Sequence, residues 1–401
     1  MTPRFALLLG LVASVALAQP IVVPWSTETT SIPSSQAGDP AIITTSGGFV
    51  IGTDTAQIGA YSYTPTGALQ QVIGLGPLKS ADSRGPLLFV ATANSAIHAF
   101  IDLGDGGLGQ VAPLSFSVLS AGFIALQDVH DGGFVLHVTR TATLQRFSVN
   151  IEDGGLIYAP LDQLNLPQVP AGITVDDRNG NVFITLPTMG VVLIEPLGNP
   201  QFVASIDAGQ LGATIGGLTL LPLVDGGTWV LTTNPQAEVI VASEFNSSVP
   251  GLTVMGSAAI GAPDGGSVRA RLPQHLASTL QPMPGFPKGM LAVQDTTLAN
   301  YKLVSLEPLA NLLQIPGVDF PPEPDSGVSD GGRTDGGVTD GGADGGADGG
   351  GTTGPGGGGT GPGGGRMDPP TGCSCGNPLL VFLPALLLLW WIRRPRNTAA
   401  A

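Results

Sequence analysis

Cys373 and Cys375 are the two cysteines of the chain, and a thiolate is both a nucleophile and a metal ligand. One residue separates them on a glycine-rich segment near the C-terminus. Two thiols at this spacing form neither a disulfide framework nor a complete zinc site. The folded part of the chain must therefore be stable without disulfide bonds, which about 300 residues can achieve.

The other residue types that commonly carry catalysis show no recognisable spacing. The sequence contains no His-x-x-x-His pair, no Gly-x-Ser-x-Gly elbow and no glycine-rich phosphate loop before a helix. The four histidines are His98, His130, His137 and His275. His137 lies in an alternating apolar pattern, which indicates a packed or face-exposed strand position.

The charge of the chain argues against one class of partner. The net charge is −15, and the 15 lysines and arginines form no cluster within the body. Because nucleic-acid phosphates are neutralised by clustered cations, a nucleic-acid partner is not expected.

The N-terminus has the three parts of an export signal. Arg4 supplies a positive charge, residues 5–15 are apolar, and Ala16-Leu17-Ala18 is a small-x-small cleavage site. Residues 1–18 are therefore predicted to be a signal peptide, cleaved between Ala18 and Gln19. The alternative is a buried N-terminal helix, since the apolar stretch is too short to span a membrane.

The C-terminus, residues 372–396, has an apolar run at 379–392 followed by three arginines. About 14 helical residues reach about 21 Å, which makes a marginal anchor for a hydrocarbon core of about 30 Å. The arginines would stay on the cytoplasmic side, which places the body outside the membrane.

This tail, with Gly372-Cys373 before an apolar helix and a basic cluster, resembles the C-terminal sorting tails of myxobacterial surface proteins. The resemblance implies modification at Cys373 or Cys375, cleavage of the tail, and a location at the cell surface or outer membrane. A plain single-span anchor is the alternative.

Residues 321–371 form a linker of Gly, Asp, Pro, Thr and Ser with repeated Asp-Gly-Gly units. It has almost no apolar residues to bury, so we expect a disordered stalk with a mean span of roughly 40 Å. Spaced aspartates could also bind calcium. The irregular spacing and the missing closing glutamate favour the stalk.

The body, residues 19–320, is dominated by alternating apolar segments separated by Asp-Gly or Asn-Gly turns. Three strand–turn–strand units start at Gly122, Gly172 and Gly217, 50 and 45 residues apart. A period of 45 to 50 residues is typical of propeller blades. The predicted fold class is all-β, a six-bladed β-propeller with a disordered stalk and a short C-terminal hydrophobic helix. A large β-sandwich is the alternative.

Across residues 39–313, an ordered set of short segments resembles the β-propeller phytases, six-bladed calcium-dependent enzymes that release phosphate from inositol hexakisphosphate. The segments include Asp39-Pro40-Ala41-Ile42, Gly59-Ala60-Tyr61-Ser62, Ala81-Asp82-Ser83-Arg84, Gly217-Leu218-Thr219-Leu220, Phe286-Pro287-Lys288-Gly289 and Val293-Gln294-Asp295.

The family's hydrolysis uses a cluster of calcium ions, which requires many converging carboxylates. Several of those carboxylate positions are changed here, as in Leu186-Pro187-Thr188, Thr214-Ile215-Gly216, Pro273-Gln274 and Thr296-Thr297-Leu298. The site candidates that the resemblance leaves are Asp39, Asp82, Arg84, Gln294 and Asp295. A structural role in turns is the alternative for these aspartates. Asp176 and Asp177 are predicted turn residues, and Lys288 and Lys302 are predicted surface lysines.

The sequence therefore predicts an exported, surface-anchored, phytase-like propeller with lost or weakened hydrolysis that acts as a binding or structural module. The alternative is an active calcium-dependent phytase with relocated ligands, and calcium is expected as a cofactor only in that case. The expected partners are the membrane or cell surface, through the tail, and an unidentified small-molecule or protein ligand.

Overall fold

The computed structural model describes residues 20–104, 107–118, 120–129, 133–152, 155–195, 201–207, 214–245, 252–265 and 268–321. Ala18, Gln19, Cys373 and Cys375 lie outside these ranges, as do the predicted signal peptide, the tail and all of the linker except Pro321. The chain divides into two compact units, Met1–Gly331 and Gly332–Ala401, and every described residue lies in the first.

Two short strands, β1 (Ile21–Pro24) and β2 (Thr27–Glu28), precede six successive groups of antiparallel strands. The first three groups are β3 (Ala41–Ile43), β4 (Phe49–Thr53), β5 (Gly59–Tyr63) and β6 (Leu69–Gly74); β7 (Leu78–Arg84), β8 (Leu87–Thr92), β9 (Ala96–Asp102) and β10 (Leu108–Ser117); and β11 (Ala121–Val129), β12 (Gly133–Arg140), β13 (Thr143–Glu152) and β14 (Gly155–Asn165).

The next three groups complete the order: β15 (Gly172–Asp176), β16 (Asn181–Leu186), β17 (Gly190–Glu195) and β18 (Gln201–Asp207); β19 (Leu218–Pro222), β20 (Thr228–Asn234), β21 (Val239–Phe245) and β22 (Leu252–Gly261); and β23 (Leu276–Thr279), β24 (Met290–Asp295) and β25 (Asn300–Ser305). One described helix, α1 (Leu306–Leu313), follows β25.

The first strand of each group lies on the inside of a ring. The strands β3, β7, β11, β15, β19 and β23 contact one another in that order, and β23 returns to contact β3. Each following strand pairs antiparallel with the one before it. This arrangement is a six-bladed β-propeller, so the predicted all-β propeller is confirmed; the predicted stalk and C-terminal helix lie outside the described residues.

The ring is closed by the N-terminal segment. In the sixth blade, β2 pairs antiparallel with β25, with Thr27 opposite Leu303 and Glu28 opposite Lys302. In the fifth blade, β1 pairs parallel with β22 as an additional outer strand. The two ends of the body are therefore held together by backbone hydrogen bonds.

Gly67, in the turn between β5 and β6, lies against this closing segment. It has a φ of +85°, and a Cβ there would be 2.0 Å from the Glu28 carbonyl oxygen. A residue with a side chain would clash with the backbone of β2, so this turn requires glycine.

The core lies between neighbouring blades, because each blade buries both faces against the next. One cluster joins Phe183 and Val191 of the fourth blade to Leu218 and Val230 of the fifth. The strands β8, β20 and β24 are buried along their whole length. On α1, apolar residues at the spacing i, i+3, i+4 and i+7 (Leu306, Leu309, Ala310 and Leu313) are buried.

The three repeated units of the sequence coincide with the first two strands of three consecutive blades. Gly122 lies in β11, Gly172 begins β15, and Gly217 directly precedes β19. The period in the sequence therefore reports the blade length correctly.

Candidate functional site

The six innermost strands surround a tunnel with a volume of about 460 Å³. Four carboxyl groups and two guanidinium groups are the charged side chains in its wall. They belong to Asp39, Asp82, Arg84, Asp176, Asp177 and Arg178. The charged side chains of the tunnel wall therefore come from the first, second and fourth blades.

Arg84, the last residue of β7, lies between two of these carboxylates. Its Nη1 is 3.3 Å from Asp82 Oδ1, and its Nε donates to Asp177 Oδ2 at 2.8 Å. The other oxygens also have protein donors: the Leu126 N–H reaches Asp82 Oδ2 at 2.7 Å, and the Asp128 N–H reaches Asp177 Oδ1 at 3.1 Å. This bridge joins the second, third and fourth blades.

Arg178 and Asp176 form a second pair at the turn after β15. Arg178 donates to both carboxylate oxygens of Asp176, at 3.0 and 2.8 Å, and the Thr228 hydroxyl donates to Asp176 Oδ2 at 2.8 Å. Burial acts to raise the pKa of Asp176, but these donors outweigh it and hold the pKa below its usual value. We call Asp82, Arg84, Asp176, Asp177 and Arg178 the tunnel cluster.

The two predicted turn aspartates therefore have a double role. Asp176 accepts the backbone N–H of Gly180 through its carbonyl oxygen, as a turn residue does. Both carboxylates nevertheless face the tunnel and pair with arginines. Asp177 is 93 residues from Arg84 in sequence, so no local spacing predicts this pairing.

Asp39, two residues before β3, has a different environment. Ser80 Oγ donates to Asp39 Oδ2 at 2.6 Å, and His275 Nδ1 lies 3.8 Å from Asp39 Oδ1. Burial, with a smaller contribution from the charge of Asp82, raises the pKa of Asp39 to about 8. Burial lowers the pKa of His275 to about 4. At neutral pH both side chains are therefore mainly uncharged.

Gln294 and Asp295 do not line the tunnel. Gln294 Oε1 accepts the N–H groups of Gln274 and His275, both at 3.1 Å, and its Nε2 donates to the Ala37 carbonyl. Gln294 thus braces the two loops that carry Asp39 and His275. Of the five candidates from the sequence, Asp39, Asp82 and Arg84 lie together in the tunnel wall. Gln294 lies outside the wall and holds the loops of Asp39 and His275 in place.

Asp295 belongs to a separate buried group at the ring closure. Its Oδ1 accepts the N–H groups of Thr297 and Leu298 at 3.0 and 3.1 Å, and its Oδ2 lies 3.8 Å from Lys302 Nζ. Lys302 also pairs with Glu28, and its ammonium lies 4.5 Å from the centre of the Trp25 ring. We call Trp25, Glu28, Asp295 and Lys302 the closure cluster.

Lys302 is fully buried, so its prediction as a surface lysine was wrong. The reason is that Trp25 and Glu28 of the N-terminal segment and Asp295 of β24 surround its side chain. Lys288 donates to the Pro321 carbonyl at 3.1 Å and is only partly buried. His137 is a buried residue of β12, as predicted for a packed strand position, and its Nε2 contacts Gln127.

The tunnel residues do not fit a calcium cluster. Calcium takes six to eight oxygen ligands, whereas the oxygens of Asp82, Asp176 and Asp177 already accept hydrogen bonds from arginines, backbone N–H groups and a hydroxyl. Within the described ranges, no group of three or more His, Cys, Asp and Glu side chains is arranged to hold a metal ion.

Among the described residues, no helix has the length and apolar character needed to cross a membrane.

Comparisons with known proteins give structural matches alone. No protein-family model matches the chain, and no curated protein matches its sequence. The major allergen Mala s 1 of Malassezia sympodialis is 13% identical, with a TM-score of 0.45 over 72% of this chain and 95% of that chain.

A chain of the Mitotic Checkpoint Complex is 12% identical, with a TM-score of 0.44 over 76% of this chain and 98% of that chain. BBS1N in complex with ARL6DN, soaked with lead, is 12% identical, with a TM-score of 0.40 over 65% of this chain and 74% of that chain. Similarities at these values carry no conclusion about function.

Proposed function

We propose that the protein is an exported, surface-displayed binding module, a propeller without phosphate-ester hydrolysis. The observation that carries this proposal is the position of the Arg84 guanidinium between Asp82 and Asp177. A hydrolytic metal centre would need those carboxylates as ligands. Here they bind a fixed protein cation instead, which supports a binding site that works without a metal centre.

The size and lining of the tunnel support binding. Its volume of about 460 Å³ falls within the range of small-molecule sites, about 300–1,000 Å³. The wall combines apolar strand residues with a few polar groups whose positions are fixed by hydrogen bonds across blades. This combination orients a ligand without reorganisation of the protein.

A phosphate-release assay on the full chain, with inositol hexakisphosphate and calcium, tests the loss of hydrolysis. We expect release at the level of a sample without protein, and no heat of calcium binding in calorimetry. Calcium-dependent turnover abolished by Asp82→Asn and unaffected by Asp225→Asn, an exposed turn aspartate, would instead establish the phytase-like alternative.

The export and display part of the proposal rests on the two ends of the sequence. We expect the mature protein to begin at Gln19 and an antibody against the propeller to label intact cells. Replacing both Cys373 and Cys375 by Ser should abolish retention at the surface and release the protein or leave its tail uncut. Unchanged labelling of that variant would favour a plain anchor, and cytoplasmic protein would contradict export.

A further inference from the structure

Asp39 differs from the other carboxyl groups of the tunnel in its partners. Asp82 and Asp177 share Arg84, and Asp176 pairs with Arg178. Asp39 is instead given the Ser80 hydroxyl, the Ala81 N–H and the His275 imidazole, which is neutral at pH 7. None of these three partners carries a positive charge, so no protein cation neutralises Asp39.

The tunnel as a whole has more carboxyl groups than guanidinium groups, four against two. Arg84 neutralises one of the two carboxylates that it contacts, so negative charge remains even when Asp39 is protonated. Such a wall repels phosphates and carboxylates and attracts cations. An anionic ligand is therefore disfavoured in this cavity.

Resting on the binding function proposed above, we propose that the tunnel binds a small organic amine, whose ammonium group is held by the carboxylate of Asp39. An ammonium carries three N–H donors, so one carboxylate and nearby neutral acceptors satisfy it. A divalent metal ion needs several carboxylates. The carboxyl of Asp39, which no arginine contacts, suits the former and not the latter.

Binding of the ammonium is coupled to a proton. Near pH 7 the Asp39 carboxyl is mainly protonated, and an adjacent cation favours its ionised form. The amine binds as its ammonium ion, the Asp39 O–H bond breaks, and the proton goes to solvent. Affinity therefore rises as the pH is raised from 6 to 8.

The charged and titratable groups around Asp39 do not change the expected rise of affinity with pH. Asp82 and Arg84 of β7 lie in the same tunnel wall, His275 precedes β23, and Tyr301 of β25 lies near enough to sense the charge of Asp39. His275 is mainly neutral throughout this range, since burial lowers its pKa to about 4. Burial raises the pKa of Tyr301 well above its usual value, so it also stays neutral.

A matched series of probes tests the inference on the full chain. n-Pentylammonium, 1-pentanol and pentanoate have the same apolar tail and differ in the charge of the head group. In calorimetry at pH 7.5, pentylammonium should bind at least about tenfold more tightly than either other probe, as expected for a hydrogen-bonded charge pair. Titration in two buffers of different ionisation enthalpy should show proton release.

Asp39→Asn should remove both the preference for pentylammonium and the proton release. Asp264→Asn, a change in the exposed turn after β22, should retain both. The pH dependence of the unmodified chain gives a test that needs no variant: affinity for pentylammonium should increase between pH 6 and pH 8.

Equal affinity for pentanol and pentylammonium would overturn the inference and leave the binding function standing, as would retention of the preference in Asp39→Asn. An affinity that is constant from pH 6 to pH 8 would also overturn it. Calcium-dependent phosphate release, by contrast, would refute the proposed function itself. The two failures are therefore distinguishable.

Discussion

The closure cluster and the tunnel cluster both hold charged groups inside the propeller, but they differ in how far those groups are exposed to solvent. At the closure, one ammonium, Lys302, is fully buried between Asp295, Glu28 and the Trp25 ring. In the tunnel, Arg84 keeps 25% of its side chain exposed and contacts two carboxylates beside an open cavity.

The difference indicates what each cluster does. A fully buried ion pair is costly to break because the remaining charge has no access to water. Charges beside a cavity stay partly hydrated, so they can be rearranged or matched by a ligand. We therefore attribute ring stability to the closure cluster, whereas the tunnel is the site of the proposed ligand binding.

Removing the buried ammonium should give the largest effect. Lys302→Met leaves the buried Asp295 carboxylate without its counter-ion, and we expect a loss of about 3–5 kcal/mol in the free energy of unfolding. Urea denaturation followed by tryptophan fluorescence measures it. Lys79→Met, at an exposed position of β7, is the control. A loss below about 1 kcal/mol would mean that the closure pair behaves like a surface pair and does not stabilise the ring.

Arg84→Met should have a smaller effect, about 1–3 kcal/mol, because Asp82 and Asp177 keep access to water in the tunnel. The double variant Arg84→Met/Asp177→Asn should recover part of the loss, since one unpaired carboxylate is removed with the arginine. A double-mutant cycle on urea denaturation gives the coupling free energy. A coupling near zero would show that the bridge does not join the blades.

The effect of Asp39→Asn on stability should depend on pH. The pKa of Asp39 in the folded protein is raised from 3.8 to about 8, so its contribution to stability is present below pH 4 and is lost as the pH rises to 8. The variant should match the unmodified protein near pH 4 and become relatively more stable by pH 8. Thermal denaturation at several pH values checks this, and a difference that does not change with pH would contradict it.

At neutral pH the smallest effect is expected from a neutral imidazole away from the tunnel. Burial lowers the pKa of His137 to about 3. Between pH 6.5 and 3 the unfolded chain therefore binds a proton at this residue and the folded chain does not. Stability is lost as the pH falls through this range. His137→Gln should reduce the dependence of the free energy of unfolding on pH between pH 6.5 and 3. Urea denaturation from pH 6.5 to 3 measures this change, and an unchanged slope of stability against pH would contradict it.

The sequence predicts the blades better than it predicts their contacts. The units at Gly122, Gly172 and Gly217 reveal the blade period because turns and alternating strands are local features. The ring closure has no local signal, since Thr27 pairs with Leu303 at the other end of the body. The spacing of Leu306, Leu309, Ala310 and Leu313 does signal α1, but we predicted no helix there.

In the candidate site, too, the contacts between residues distant in sequence were not predicted. Asp39, Asp82 and Arg84 were predicted as candidates, and they do lie together. Asp177, Arg178, Ser80 and His275 were not, because each acquires its role from a partner on another blade or loop. The burial of Lys302 is likewise set by a strand far away in sequence, and no property of its neighbours reveals it.

The pairing of β2 with β25 also has a consequence for biosynthesis. Thr27 leaves the ribosome early, but its partner Leu303 is made about 280 residues later, which at 5–20 residues per second is a delay of roughly 15–55 s. Until then β2 must stay unpaired and out of competing contacts. A chain that stops short of β25 can never complete its ring, so truncated products stay open and are exposed to proteolysis.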